Sequence, residues 1–313
     1  MADIIARTIQ QAHTRNIQSV LVSQDSEVKV SVSRAPSTAN LFIDSNDRQA
    51  NAEGFKLQPA TDFTIQKNNN ILTGYFTRLA VVEIVLDWCI PNVSPFFNNN
   101  QFAVIIGDTQ YAVEMPTAHY NVAQALNKLV SLLNIAVGSA FFSVAYSSAT
   151  GEVSFDGTSN FTINADNQFD NLTAELGFVG ILDESSSKQI VCPKLLPTGY
   201  IDFLCNQLTY PQDVKDGSTA LLENNVIYRW YLAWEQEPST DAYGFPIFQG
   251  YTPFLARRYL AFPKQIKWDN NLPIGQLNFQ VVDDKGVIIS TYESIPTGVG
   301  ELEFNMTLLV SEN

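Results

Sequence analysis

The chain has 313 residues, 45% hydrophobic and 12% aromatic, with 20 Phe and 12 Tyr; this content excludes disorder and suits one or two domains with a sizeable core. Only 16% are charged, and 18 Lys and Arg against 32 Asp and Glu leave a net charge of −14. A duplex-binding protein clusters cations against phosphates, so a nucleic-acid grip is excluded as the main function.

Residues 1–38 read as an N-terminal arm. Ile4, Ile5 and Ile9 mark a short segment. A hairpin of 17–23 with 28–33 follows, in which Val28, Val30 and Val32 alternate with Lys29, Ser31 and Ser33. Pro36, Ser37 and Thr38 form a joint, and such a terminus is ordered only where it is tied down. Arg7, Arg15, Lys29 and Arg34 barely outweigh Asp3, Asp25 and Glu27, so the arm is no polycationic tail. Strands then start near Leu41, Phe63 and Phe76.

The middle breaks the pattern. QFAVIIGDTQYAVEM (101–115) reads as a hairpin turning at Gly107-Asp108. The spacing predicts a helix from Thr117, an N-cap just after Pro116, with Val122, Leu126, Leu129, Val130 and Leu133 on one stripe. FFSVAYSS, EVSF and FTIN follow as strands, with turns at Ala149-Thr150-Gly151 and Asp156-Gly157, and LTAELGF closes as a short helix.

Beyond it, strands start near Tyr200, Val226, Arg257, Gln276 and Leu302. In 226–235, Val226, Tyr228, Trp230, Leu232 and Trp234 share one face. Leu277, Phe279 and Val281 alternate with Gln276, Asn278 and Gln280; Leu302, Phe304, Met306, Leu308 and Val310 oppose Glu301, Glu303, Asn305 and Thr307. Period-two alternation means half-buried antiparallel strands. Asp284-Lys285-Gly286 is a hairpin signal, and further punctuation lies at Asn98-Asn99-Asn100, Asp216-Gly217-Ser218 and Asn270–Pro273. About eight antiparallel strands outside the middle suggest a sandwich, most simply a jelly roll. The expected fold is therefore mainly β: an eight-stranded antiparallel jelly-roll sandwich with an inserted α+β domain and an N-terminal arm. Its parts are 1–38 (arm), 39–98 with 185–313 (jelly roll) and 99–184 (insertion).

Chemistry-bearing residues are sparse. The opening MADIIARTIQ lacks an apolar signal core, and no run approaches the roughly 18 apolar residues of a membrane span. Cys89, Cys192 and Cys205 show no C-x-x-C spacing, which reads as reduced thiols in an intracellular assembly compartment. Two histidines, His13 and His119, are too few for a His-rich metal site. No phosphate loop or dinucleotide fingerprint occurs, and Gly298-Val299-Gly300 is a loop. Glu83 and Asp87 share a face of VVEIVLDW, but four residues of extended strand place them roughly 14 Å apart, beyond the about 5–9.5 Å of glycosidase carboxylates; a polar face or subunit contact is favoured. Asp283 and Asp284 are expected to be solvated at a hairpin tip. His119 opens the predicted helix, where Cys89 or Cys192 would be its nucleophile partner; buried cysteine and surface histidine are the favoured alternative. Tyr228, Trp230 and Trp234 read as core, with Tyr231 projecting the other way beside Arg229, and Arg257-Arg258 as a salt-bridge donor. Four N-x-S/T triplets, at Asn92, Asn160, Asn171 and Asn305, are read as chance in an Asn-rich chain. No catalytic, cofactor-binding or metal-ligating residue is assigned, no cofactor is implied, and the chain reads as a non-enzyme.

Three segments carry a family resemblance: Asn40-Leu-Phe-Ile-Asp44-Ser45-Asn-Asp47-Arg48, then Phe63-Thr-Ile-Gln66, and Asp87-Trp88-Cys89-Ile90-Pro91-Asn92. This pattern of strand, S-x-D-R, F-x-I and a long strand ending I-P-N resembles the single jelly-roll vertex (penton) and minor capsid proteins of virophages, Polinton-like viruses and related large DNA viruses. The helix followed by F-S-V-x-Y, T-G-E-V-S-F, F-T-I-N and L-G-F is similar to inserted modules of viral particle proteins. The resemblance implies a homopentamer at each icosahedral vertex, contact with major capsid protein trimers, and an outward upper domain open to a host receptor. It implies a virion component assembled inside the host cell, with no catalytic residues to carry over. On the residues alone, Ser45, Asp47 and Arg48 also read as a turn with an internal Asp–Arg pair. The competing readings are a carbohydrate-binding or host-attachment fibre-like module, with Tyr231 as its discriminating residue, a non-vertex minor capsid protein, and, last, a hydrolase.

Overall fold

The alternation of apolar and polar residues resolves into strands in the computed structural model, which describes residues 17–21, 31–34, 38–54, 56–66, 71, 76, 78–147, 150–166, 168–209, 225–232, 236–248, 253–261, 263, 265–267, 274–289 and 302–312. In chain order the strands are β1 (Ile17–Leu21), β2 (Ser31–Arg34), β3 (Thr38–Asp44), β4 (Asp62–Gln66), β5 (Arg78–Trp88), β6 (Gln101–Ile106), β7 (Thr109–Glu114), β8 (Phe142–Tyr146), β9 (Val153–Asn164), β10 (Ser185–Ile190), β11 (Tyr200–Leu204), β12 (Val226–Tyr231), β13 (Gln236–Thr240), β14 (Pro246–Phe248), β15 (Phe254–Tyr259), β16 (Ile266–Lys267), β17 (Gln276–Asp283) and β18 (Glu303–Ser311). The helices are α1 (Val122–Val137), α2 (Asp170–Glu175) and α3 (Asn206–Thr209).

Two sheets build the sandwich. One has the order β12-β11-β17-β4; the other has the order β15-β5-β18-β3, with short β16 also on β5. All these pairings are antiparallel. Numbered by position among its eight long strands, the sandwich carries strands 5-4-7-2 in one sheet and 6-3-8-1 in the other, which is the jelly-roll order. Alternation does the packing. Leu302, Phe304, Met306, Leu308 and Val310 are all buried, as are Leu277, Phe279 and Val281 from the opposite sheet. Aromatic rings lock the sheets together: Phe304 of β18 meets Phe203 of β11 at 4.9 Å and Phe63 of β4 at 5.9 Å, while Phe63 stacks on Phe279 at 5.6 Å.

Two bulges adjust the faces. Phe203 faces Tyr228 while Leu204 faces Val226, so Ile227 is an extra residue. That is why Ile227 is buried although simple alternation puts it opposite Trp230. Likewise Thr307 faces Glu83 and Leu308 faces Val81. The skipped Val82 switches β5 from burying Leu79 and Val81 to burying Ile84, Leu86 and Trp88. Tyr228 is half-buried and Trp230 fully buried; Trp234 lies outside the described residues.

Between β5 and β11 the chain forms a second sheet, β10-β9-β6-β7 with β8 on β9, covered by α1. Gly107 turns the β6–β7 hairpin with φ +57°, as the sequence pattern predicts. The stripe Val122, Leu126, Leu129 and Leu133 is fully buried. Two expectations change here. The helix begins after Asn121, not at Thr117: Ala118 is held in a bridge with Val93, and Asn121 with Gln124 closes a capping box. Asp156-Gly157 is no turn but lies inside β9, which runs on through both EVSF and FTIN. A Cβ at Gly157 would sit 2.7 Å from the Phe141 ring, so the glycine serves ring packing. β10 hydrogen-bonds to β9, and Ile190 sits in the same apolar cluster. The β13–β14 hairpin reaches across from the jelly roll, packing Tyr243, Phe245 and Ile247 on this second core. There the Asp241 carboxylate accepts the Ala123 N–H at 3.3 Å.

In the arm, β1 pairs antiparallel with β2, so 17–21 lies against 31–34; the rest of the expected hairpin, with Val28, Lys29 and Val30, lies outside the described residues. Ile4, Ile5, Ile9, His13 and the turns at 216–218 and 270–273 lie outside the described residues.

Candidate functional site

The catalytic candidates come first. His119 precedes α1 by three residues instead of opening it, and its Nε2 lies 3.3 Å from the Cys89 main-chain oxygen. Burial holds its pKa below 6.5, opposed by that carbonyl contact. What meets the ring is therefore a carbonyl. Of the three thiols, Cys192 is exposed and Cys205 is buried, its pKa pushed up to about 12 by desolvation. Glu83 is engaged by Arg257, whose guanidinium also lies over the Tyr259 ring at 4.5 Å. Arg258 covers the ring of Trp230 at 4.2 Å. Asp283 is not solvated as expected. It is buried, and its Oδ1 accepts the N–H groups of Lys285 and Val287, capping the hairpin from inside. Asp284 is half-buried and accepts the Gly199 N–H at 2.9 Å. Among the described residues no group of three or more His, Cys, Asp or Glu side chains forms a metal site, and no helix is long and apolar enough to cross a membrane.

The segment Asp44–Arg48 is a fastening. Asp44 caps a 3-10 turn over Ser45–Asp47 by accepting the Asn46 N–H. The buried Ser45 Oγ accepts the Phe304 N–H at 3.0 Å, and the buried Arg48 donates to the Ser45 carbonyl at 2.8 Å. Asn46 donates to Glu303 at 3.1 Å. The turn thus pins the end of edge strand β3 to central strand β18.

The I-P-N end of β5 is a joint. Asn92 is buried; its Nδ2 donates to the carbonyls of Tyr120 and Leu195, and its Oδ1 accepts the Tyr120 N–H. One side chain therefore ties the chain leaving the jelly roll to the chain returning. Asn99 continues the network, donating to Asn92 O at 2.7 Å and to Glu175 Oε2 at 2.8 Å while accepting the Ser94 N–H. Desolvation raises the pKa of Glu175 to about 8, against the Asn99 bond and the charge of Lys285. The buried Asn92 also explains why its N-x-S triplet is not a surface acceptor. Asn98-Asn99-Asn100 reads as punctuation in sequence, and only the fold reveals that Asn99 and Asn100 are buried. Sequence reasoning equally passed over Lys188, buried at the edge of the second sheet, whose Nζ donates to the carbonyls of Gly180 and Asp183.

The two outer faces of the sandwich differ. On the β15-β5-β18-β3 sheet, Phe42 (70% exposed), Leu255 (74%) and Tyr259 (66%) stand among Asp44, Glu83, Asp87 and Glu303. A cleft of about 350 Å³ between Phe42, Asp47, Glu83 and Asn305 lies on this face. On the other sheet the outward residues are largely amides: Thr64 donates to Asn278, Gln276 to Asn278 and Gln280 to Asp62. At its upper end Arg229 grips Asp202 with two bonds of 2.7 Å and stacks over Tyr200 at 3.8 Å. Tyr231, 42% exposed, stands against the Tyr200 ring at 5.9 Å. Apolar side chains left open on a sheet face are features of a contact surface.

No family model matches the chain, and no curated protein matches it. Among solved structures, the chain is similar to the mavirus penton protein, with 12% identity, a TM-score of 0.46, and coverage of 87% of this chain and 98% of that one. It is also similar to a chain in the cryo-EM structure of the Sputnik virophage, with 14% identity, a TM-score of 0.44, and coverage of 88% and 98%.

Proposed function

We propose that this chain is a structural capsid protein of an icosahedral DNA virus, in which five copies close a homopentameric ring at each vertex. The observation that carries the reading is the jelly-roll sandwich, with one outer face left apolar and acidic and the opposite face rich in amides. Two unlike faces on one subunit suit a heterologous contact, and such a contact repeated around a closing rotation makes a ring. The residue-level resemblance to vertex capsid proteins points the same way, and its S-x-D-R and I-P-N segments are the fastening and the joint described above.

In this reading residues 39–98 with 191–313 form the wall of the ring, and the sheet of β6–β10 with α1, the expected 99–184 extended through β10 (Ser185–Ile190), is the outward upper unit that a host receptor would meet. The arm, residues 1–38, ties the ring to neighbours, and the rim contacts trimers of the major capsid protein. The protein acts by assembly in the host cell and as part of the virion; it needs no cofactor and turns over no substrate. Native mass measurement of the purified full chain tests this directly. A species of five chain masses is the expected result, and a single chain at every salt and pH refutes it.

One observation favours a second reading. The Tyr200–Tyr231 corner beside Arg229 has the form of a sugar-stacking surface, which suits an attachment module. Glycan-array binding that is lost in Tyr231→Ala, from a protein that never forms a ring, would favour it.

A further inference from the structure

Opposite charges lie at the same end of the two sheets, the end that leads to the second unit. Asp87 is exposed near the end of β5, where the chain leaves for the second unit, and is paired across strands with Glu303 on one side and Leu255 on the other. Asp44 lies on the next row down, facing Asn305. Among the described residues the outward cations near them are Arg257, already held by Glu83, and Lys56, whose Nζ donates to the Asn46 carbonyl; the carboxylates outnumber them. This corner is therefore acidic, with Phe42 and Leu255 as its apolar floor.

The other sheet carries its cations at the same end. β11 begins where the chain returns from the second unit, and Tyr200 pairs with Tyr231 in its first row. β17 ends beside it, with Ile201 facing Asp283, so exposed Lys285 stands in the turn just above. Lys194 is exposed on the returning chain, and its main-chain N–H donates to the Glu175 carbonyl at 2.7 Å; Glu175 also feels the charge of Lys285. The carboxylates nearby are turned to other tasks: Asp202 on Arg229, Asp283 inside the hairpin, Asp284 on Gly199. Lys194 and Lys285 are the exposed lysines of this corner among the described residues.

We propose that the ring contact joins these two corners, the Asp44, Asp87 and Glu303 face of one copy meeting the Lys194 and Lys285 corner of the next. The inference rests on the ring of the proposed function and names its interface. A heterologous contact closes only if the rotation carries no translation along the axis; otherwise it grows a helix. Two complementary patches, one on each sheet of the sandwich and both at the end next to the second unit, suit that condition. The partner is therefore a second copy of this chain. Phe42 and Leu255 supply the buried area, while the charges fix the register and reject the wrong face.

Charge reversal tests the pairing. Asp87→Lys with Glu303→Lys, and separately Lys194→Glu with Lys285→Glu, each lower the ring fraction at least about tenfold, because like charges across a contact repel. The four changes together restore it. Native mass gives the ring fraction, and near-ultraviolet circular dichroism confirms a folded subunit. Because Glu303 also accepts a bond from Asn46, Asp87→Lys and Lys194→Glu are paired in the same way should either double variant misfold. Folded double variants that form rings as the wild type does, or a combined variant that stays apart, overturn this interface while leaving the ring itself standing. A wild-type protein that never forms a ring overturns the proposed function instead.

Discussion

Glu175 makes the stability of the joint depend on pH in a direction that can be worked out. Its pKa rises from 4.5 to about 8 on folding because the carboxyl is desolvated beneath the second unit. A group whose folded pKa is raised stabilises the fold fully below 4.5 and loses that contribution as pH climbs through about 8. Each pH unit inside that window removes about 1.4 kcal/mol, so at pH 7 the loss against an uncharged side chain reaches about 3 kcal/mol. Part of the side chain meets solvent, which reduces the figure to about 2 kcal/mol. Glu175→Gln keeps an oxygen for the Asn99 amide and cannot ionise. Urea unfolding at pH 5.5, 7 and 8.5 should show the variant ahead by about 2 kcal/mol at pH 7, by more at pH 8.5, and level with wild type near pH 5. Parallel pH profiles for the two proteins would refute the argument, since they would mean that the carboxylate is already charged in the folded joint.

His119 acts with the opposite sign. Its folded pKa is held below 6.5 by burial, so its contribution is full above 6.5 and is lost as pH falls; His119→Gln should flatten the acid side of the unfolding profile. Asn92→Ala strips partners from the Tyr120 and Leu195 main-chain groups and should destabilise by about 2–4 kcal/mol in a denaturant titration. Gly177 has φ +71°, and a Cβ there would lie 2.3 Å from the Val191 carbonyl oxygen. Gly177→Ala should therefore lower the melting temperature more than Gly151→Ala, whose Cβ meets open space at a similar φ of +71°. Raising ionic strength from about 10 to about 150 mM should favour the ring, because salt screens the long-range repulsion between chains of −14 charge beyond roughly 8 Å while the close, partly buried pairs of the proposed contact are screened much less. Analytical ultracentrifugation reads that shift, and dissociation on adding salt would contradict it.

The sandwich was legible because its strands are half-buried. The run Leu302, Phe304, Met306, Leu308, Val310 states its face without ambiguity, and all five are buried. Parity breaks hid what alternation cannot express: the bulges at Ile227 and Val82 come from backbone pairing, and no residue there announces them. The helix stripe was plain, but its start was drawn to Thr117 by Pro116; the capping pair Asn121 and Gln124 was present in the sequence and is the better local signal. Asp283-Asp284-Lys285-Gly286 marked a hairpin correctly while concealing that Asp283 turns inward to cap it. The joint was beyond reach for a different reason. Asn99 and Glu175 lie 76 residues apart, and an Asn among three looks like loop until the fold buries it. The charges of the proposed contact were visible one by one, but their place at one end of the sandwich follows only from the strand register.

The central claim is that copies of this sandwich stand side by side around a closed five-fold axis. Cryo-EM class averages of the purified full-length protein, recorded at moderate salt, measure that arrangement most directly. The account predicts end-on views with five equal lobes and side views in which the second units project from one rim. Averages of single sandwiches, of open filaments, or of three-lobed fibres would contradict it.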